Sequence, residues 1–255
     1  MGIQSTPDPP LCQAVASFFE RPDIHGNLAL LGERLPAGAA VYAAGGALRN
    51  LLIATMHGSA PPTRDIDLFI GGLEGNFVLA DVLADQPAVP TDLKGMRWHP
   101  AGSDLVYDLS LLPDFLVIDA YGLDPTPENL LASIDFTINA ILYDVRHGTL
   151  VERGCSAAVR SRVIDFNSRR IPDKGLMAYR ILLMAHKTGF RLAEPVFDFV
   201  RHRLELETVR GLKGLLRAKV GKGTAAEIMA LYDALCRHHS YGDYRRAHGT
   251  GPGGE

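Results

Sequence analysis

Residues 41–70 read VYAAGGALRNLLIATMHGSAPPTRDIDLFI, and the fold is decided here. An apolar run ends on Gly45-Gly46. A helical pattern carrying Arg49 follows, and a loop with a glycine and two prolines (57–63) interrupts it. The chain resumes as Asp65-Ile66-Asp67 at the head of a second apolar run. Side chains at i and i+2 of a strand share a face, so Asp65 and Asp67 are expected side by side. Two like charges that close are costly unless a cation lies between them. An oxygen-only pair suits Mg²⁺, which is usually held by one or two carboxylates together with substrate phosphates. Gly45-Gly46 lets backbone N–H groups come close to phosphate oxygens. Arg49, one turn into the helix, is expected at the same anion.

Transfer of a nucleotidyl group to a hydroxyl makes three demands. The triphosphate must be held, the attacking oxygen must lose its proton, and charge on the leaving pyrophosphate must be neutralised. Two divalent ions about 4 Å apart serve the last two, given carboxylates from more than one strand. Asp65 and Asp67 supply two. Asp119, inside FLVIDAY (115–121), reads as the third, an acid in an apolar strand where an unpaired carboxylate would cost several kcal/mol. Each element has a plainer reading. D-x-D is common, Gly-Gly is usually a turn, Asp119 could face water from an edge strand, and Arg64 could pair with Asp65 or Asp67. The order Gly-Gly, Arg, D-x-D at this spacing sets the stretch apart.

With 255 residues, 47% hydrophobic and 22% charged, the chain suits one large or two small globular domains. No apolar run approaches the roughly 20 residues of a membrane span. The opening MGIQSTPDPP has neither a basic region nor an apolar core, so no secretory signal is expected. Cys12, Cys155 and Cys236 have no zinc spacing and suggest no disulfide framework, which points to a reducing cytoplasm. The net charge of −3 conceals a split. Residues 1–149 carry 7 Lys/Arg against 18 Asp/Glu, and residues 150–255 carry 19 against 11. A metal-gathering half and a phosphate-attracting half would give this, as would two sets of solvated faces.

Helical spacing covers 11–35, broken at Arg21-Pro22-Asp23, and returns at 47–56, 76–83 and 125–133, the last with Thr126 as cap. Strands are expected at 41–44, 65–70, 98–101 and 115–121, with small ones at 150–151 and 163–164 around a loop. Residues 136–142 read as a helix or tight turn. Beyond Ile171 the texture is helical, with amphipathic stretches at 175–188, 194–209 and 224–235 and a Gly-rich tail from Ala247.

Several strings carry a resemblance to a known family. GGALRN…RDIDLFI is similar to the opening motif of the DNA polymerase β-type nucleotidyltransferases, in the class II branch of bacterial poly(A) polymerases and tRNA CCA-adding enzymes. DFTINA (135–140), followed by Tyr143-Asp144, resembles the string in which an Asp and an Asn place the ribose. GLMAYRILLMAHKTGF (175–190) resembles the neck helix. Together these span about residues 38–192. The resemblance implies an α/β (α+β) nucleotidyltransferase head with a small mixed sheet at 1–168. An all-α neck at 169–246 and a disordered tail at 247–255 follow. It also implies transfer from an NTP, ATP or CTP, to an RNA 3′ end with Mg²⁺ as cofactor. Asp65, Asp67 and Asp119 would be the catalytic metal ligands. Gly45, Gly46, Arg49, Asp135, Asn139 and Arg180 would bind the nucleotide. The sequence departs from the pattern at Asn50, where Asp is usual after Arg, and at Ile134, where Arg commonly precedes DFTINA. The base-reading neck positions hold Asp173, Lys174 and Met177 instead of Glu-Asp-x-x-Arg.

Transfer to a protein or small molecule and an inactive nucleotide- or RNA-binding module are the alternatives. Arg160, Arg162, Arg169 and Arg170 would bind phosphates or coat a loop. Lys213, Arg217, Lys219 and Lys222 would form a nucleic-acid face or a solvated one. His238-His239 reads as solvated. Aromatic residues do not interleave with these basics, so no base-stacking platform is indicated.

Overall fold

The computed structural model describes residues 5–73 and 75–248. They form two compact units. One comprises the described residues to Arg160 with Asn167–Arg170, and the other Ser161–Phe166 with the described residues from Ile171.

The first unit opens with two helices, each started by a proline that needs no amide partner at a first-turn position. Helix α1 (Pro9–Phe19) buries Leu11, Val15, Phe18 and Phe19, and α2 (Pro22–Arg34) buries Ile24, Leu28 and Leu31. The chain then enters β1 (Ala40–Ala44), turns at Gly45 and forms α3 (Gly46–His57), which Gly58 closes in the left-handed conformation. Strand β2 (Asp65–Gly71) follows, with Ile66, Leu68 and Ile70 fully buried on one face and Asp65, Asp67 and Phe69 on the other. The crossover contains α4 (Leu79–Val82) and the hairpin β3 (Ala88–Pro90) and β4 (Met96–Trp98), and leads into β5 (Val106–Leu111). Helices α5 (Leu116–Tyr121) and α6 (Pro127–Ser133), strands β6 (Ile141–Asp144) and β7 (Thr149–Glu152), and α7 (Cys155–Ser161) complete the sequence of elements.

The seven strands make one mixed sheet in the order β3-β4-β5-β2-β1-β6-β7. Only β2 and β5 run parallel; the other pairs are antiparallel. On one face Phe19 of α1 stacks on Tyr143 at 4.5 Å, and Asn27 of α2 donates to the Tyr107 hydroxyl. On the other, α5 and α6 press Ile118, Leu130 and Leu131 against Ala44 and Leu142, with Phe69 edge-on to Phe115. Phe69 shares its face with Asp65 and Asp67, so these acids extend beyond an apolar layer at the end of β1 and the start of β2.

The second unit pairs β8 (Val163–Ile164) in parallel with β9 (Arg191–Leu192). Its helices are α8 (Lys174–Thr188), α9 (Glu194–His202), α10 (Leu206–Val220), α11 (Lys222–Cys236) and α12 (Tyr241–His248). Asp173 caps α8 by accepting from Leu176 N at 2.7 Å, and Gly189 ends it at φ 66°. The buried Tyr244 of α12 stacks on Phe197, and its hydroxyl accepts from Leu192 N at 2.8 Å. No helix among the described residues is long and apolar enough to cross a membrane.

Several expected elements differ. FLVIDAY is a short helix, not a strand. Pro113 and a 3₁₀ turn precede it, Gly122 stops it at φ 57°, and Val117 and Ile118 bury one side. Tertiary packing overrides the β preference of its branched residues. The expected helix at 76–83 shrinks to one turn, and the strand at 98–101 lies instead at Met96–Trp98. Residues 137–139 are a 3₁₀ turn leading into β6, and the presumed loop between the two small strands holds α7. The stretch 194–209 is two helices, because the backbone leaves helical geometry between Arg203 and Glu205. Of the expected tail, Ala247 and His248 close α12, and residues 249–255 lie outside the described residues.

Candidate active site

The sheet register assembles the site. Asp67 lies opposite Ala44 on β1 and opposite Asp108 on β5. Asp108 in turn lies opposite Arg97 on β4. Neighbours in register point to the same face, so Arg97, Asp108 and Asp67 form a row across three strands, with Asp65 two residues before Asp67. The expected adjacency of Asp65 and Asp67 is present, on a strand of the expected alternation.

Gly45 closes this row. Its φ of 72° and ψ of −121° lie where side-chain-bearing residues are strained, and a Cβ built there would be 3.5 Å from Asp67 Oδ2. Gly45 therefore brings the start of α3, whose first-turn N–H groups have no intrahelical acceptor, beside the Asp67 carboxylate. The positive end of a helix favours that charge. Gly45→Ala is expected to lower unfolding free energy by about 1–3 kcal/mol through backbone strain, measured by urea denaturation.

Asp119 is not part of this row. It sits on α5 with its side chain 53% exposed, and its carboxylate accepts from Lys94 Nζ at 2.8 Å. Asp114 lies 3.7 Å from the same ammonium, and the paired Asp119 carboxylate, with Asp114 beyond it, raises the Lys94 pKa. The reason for expecting a metal there, an acid within an apolar strand, does not hold. The acid beside Asp67 is Asp108, which the sequence reading missed. Its signal was the alternation in VYDLSL, with Tyr107 and Leu109 buried and Asp108 and Ser110 on the other face.

Arg49 also differs from expectation. It is 5% exposed and braces the interior. Its Nη1 donates to Asn139 Oδ1 at 2.7 Å, and Nε and Nη2 donate to Asn50 Oδ1 at 3.1 and 2.9 Å. Asn139 Nδ2 donates to Asp135 Oδ1, which also accepts from Phe136 N at 2.8 Å. The strings ALRN and DFTINA thus meet as one buried polar network joining α3 to the turn before β6. Asn167 anchors its far side, donating through Nδ2 to the carbonyls of Leu131 and Ile134 and through its N–H to that of Asp135. Ile134, just before this string, fills the apolar cluster under α6. Arg49→Ala would leave buried acceptors without their donor, at a cost of about 2–4 kcal/mol. Guanidinium denaturation would read this as a lowered midpoint.

Arg180 belongs to the second unit, exposed on α8, where Met177 is buried. Arg160 pairs with Asp8 at 3.0 Å, and the Arg170 guanidinium lies over the Tyr121 ring at 5.8 Å.

Among the described residues, no three His, Cys, Asp or Glu side chains group closely enough to hold a metal by themselves. The donor set still fits Mg²⁺ of the kind that arrives with a nucleotide, since such an ion takes one or two carboxylates and completes its shell with phosphates and water.

No protein-family model matches the chain, and no curated protein matches it at significant similarity. Solved structures do. A CCA-adding enzyme with CTP aligns over 92% of this chain with TM-score 0.62 and 21% identity, and one with ATP over 91% with TM-score 0.59 and 20% identity. The Thermotoga maritima CCA-adding enzyme complexed with tRNA aligns over 91% with TM-score 0.56 and 20% identity. The chain covers 56%, 56% and 55% of those three chains, little more than half their length. It therefore has the fold of CCA-adding enzymes, an α/β head carrying a seven-stranded mixed sheet followed by helices.

Proposed function

We propose that the chain is a nucleotidyltransferase of the polymerase β type that adds a nucleotide from ATP or CTP to an RNA 3′ end with Mg²⁺. The observation that carries this is the register row: Asp67 beside Asp108, with Asp65 next along β2 and Gly45 turning α3 onto Asp67. The fold shared with enzymes in complex with ATP, CTP and tRNA supports the choice of donor and acceptor.

In this reading Asp65 and Asp67 would hold the divalent ions, and Asp108 would take the place that Asp119 was expected to fill. Bound Mg²⁺ would supply a Lewis acid at the phosphate oxygens and lower the pKa of the acceptor hydroxyl. The acceptor oxygen attacks the α-phosphorus, its P–O bond forms as the bond to pyrophosphate breaks, and the hydroxyl proton leaves to solvent. The N–H groups at the start of α3 face the triphosphate. The half-buried Asp135 would position the ribose from a network that the buried Asn139 and Arg49 keep rigid.

The test is incubation with each labelled NTP and bulk tRNA, followed by sequencing of the 3′ ends. Extension of those ends supports the proposal. Label found only on protein or a small molecule would favour that alternative acceptor, and nucleotide binding without any product would favour an inactive module.

A further inference from the structure

Arg97 stands in an unusual place for a cation. Its Nε donates to Asp108 Oδ1 at 2.8 Å and its Nη2 to Asp108 Oδ2 at 2.7 Å, so both carboxylate oxygens are engaged. Asp108 is the acid directly beside Asp67. Asp67 stands next in the same row and Asp65 two residues before it on β2, so the acids of both strands lie on the face that Arg97 occupies. The neighbouring cation of the same hairpin, Lys94, faces Asp119 and Asp114 instead.

We propose that Arg97 is a built-in counter-cation of the catalytic acids, holding Asp108 in the metal-free protein and yielding it when a divalent ion joins Asp67 and Asp108. This rests on the nucleotidyltransferase reading of the acids and extends it to how the site is kept. Carboxylates in register on neighbouring strands, as Asp67 and Asp108 are, repel one another without a counter-charge. A bidentate guanidinium relieves this and fixes the Asp108 rotamer. A divalent ion must compete with that pair. The protein alone should hold metal weakly, and the site should fill when nucleotide phosphates contribute the remaining ligands. Arg97 is a positioning residue here, acting through Asp108. Its side chain is 48% exposed, so the guanidinium has room to swing away, and an exposed pair of this kind adds little to fold stability.

The test is Mn²⁺ titration without nucleotide, followed by electron paramagnetic resonance, on the full chain, Arg97→Gln, Asp108→Asn and the double variant. Circular dichroism melting checks that each is folded, and Arg97→Lys provides a second variant that keeps the charge without the fork. Arg97→Gln should bind Mn²⁺ about tenfold more tightly, the scale of one charge-assisted hydrogen-bonded pair given up. Arg97→Lys should fall between it and the unaltered chain. The gain should vanish in the Asp108→Asn background. Equal Mn²⁺ affinity with and without Arg97 would overturn the proposal while leaving the metal site intact. A gain that persists without Asp108 would do the same, since it would show only a general field effect. No Mn²⁺ binding by any form, even with a triphosphate added, would overturn both this proposal and the metal-dependent reading beneath it.

Discussion

Asp67→Asn is expected to abolish nucleotidyl transfer and leave the fold intact. The substitution is nearly isosteric and removes a charge rather than volume. Asp67 stands at the end of the register row, next to Asp108 and against the Gly45 turn. If Asp67 is a metal ligand as proposed, an amide in its place would weaken the hold on the divalent ion. Several kcal/mol of lost charge stabilisation corresponds to a rate loss on the order of a thousandfold. Because Ile66 and Leu68, the residues that pack β2, point to the opposite face, the sheet should be unaffected. Initial rates with labelled NTP, alongside a thermal melt, separate the two effects. Turnover at the unaltered rate would remove Asp67 from the catalytic set.

The second large effect is a contrast between two acids. Asp108→Asn should slow transfer by roughly a hundredfold, about 2.7 kcal/mol of barrier, whereas Asp119→Asn should stay within about twofold, as expected for an exposed pair away from the chemistry. Asp108 shares the row with Asp67, while Asp119 is on a helix and paired with Lys94. Single-turnover rates at saturating NTP would measure both. A severe loss in Asp119→Asn with a mild one in Asp108→Asn would return the third role to the helix.

These two acids also show what the sequence discloses. The D-x-D strand is legible because its alternation is strict and one face is fully buried, so a one-residue slip would put both aspartates inside. The Gly-Gly turn is legible because the chain must reverse between an apolar strand and an amphipathic helix. The third acid is not, because local preference and packing disagree. FLVIDAY is richer in branched residues than VYDLSL, yet it lies between Pro113 and Gly122 with a cluster to cover, and one and a half turns of helix cover it. VYDLSL becomes the strand because β2 offers a parallel partner some forty residues away, a pairing that no local pattern announces. Arg49 has the same lesson. Its place after the glycines suggests an anion, but its burial follows from Asn50 and from Asn139, ninety residues on. The break between α9 and α10 carries neither Gly nor Pro and left no mark in the sequence.

On the proposed function, the acids of β2 and β5 hold a metal-bound nucleotide beside the Gly45 turn. Crystals grown with Mn²⁺ and an unreactive ATP or CTP analogue test it through anomalous scattering. Manganese peaks are expected within bonding reach of Asp65 and Asp67, with Asp108 released from Arg97 and the triphosphate against the start of α3. Manganese bound at Asp119 and Asp114 instead, with the β2 acids bare and the nucleotide elsewhere, would contradict it.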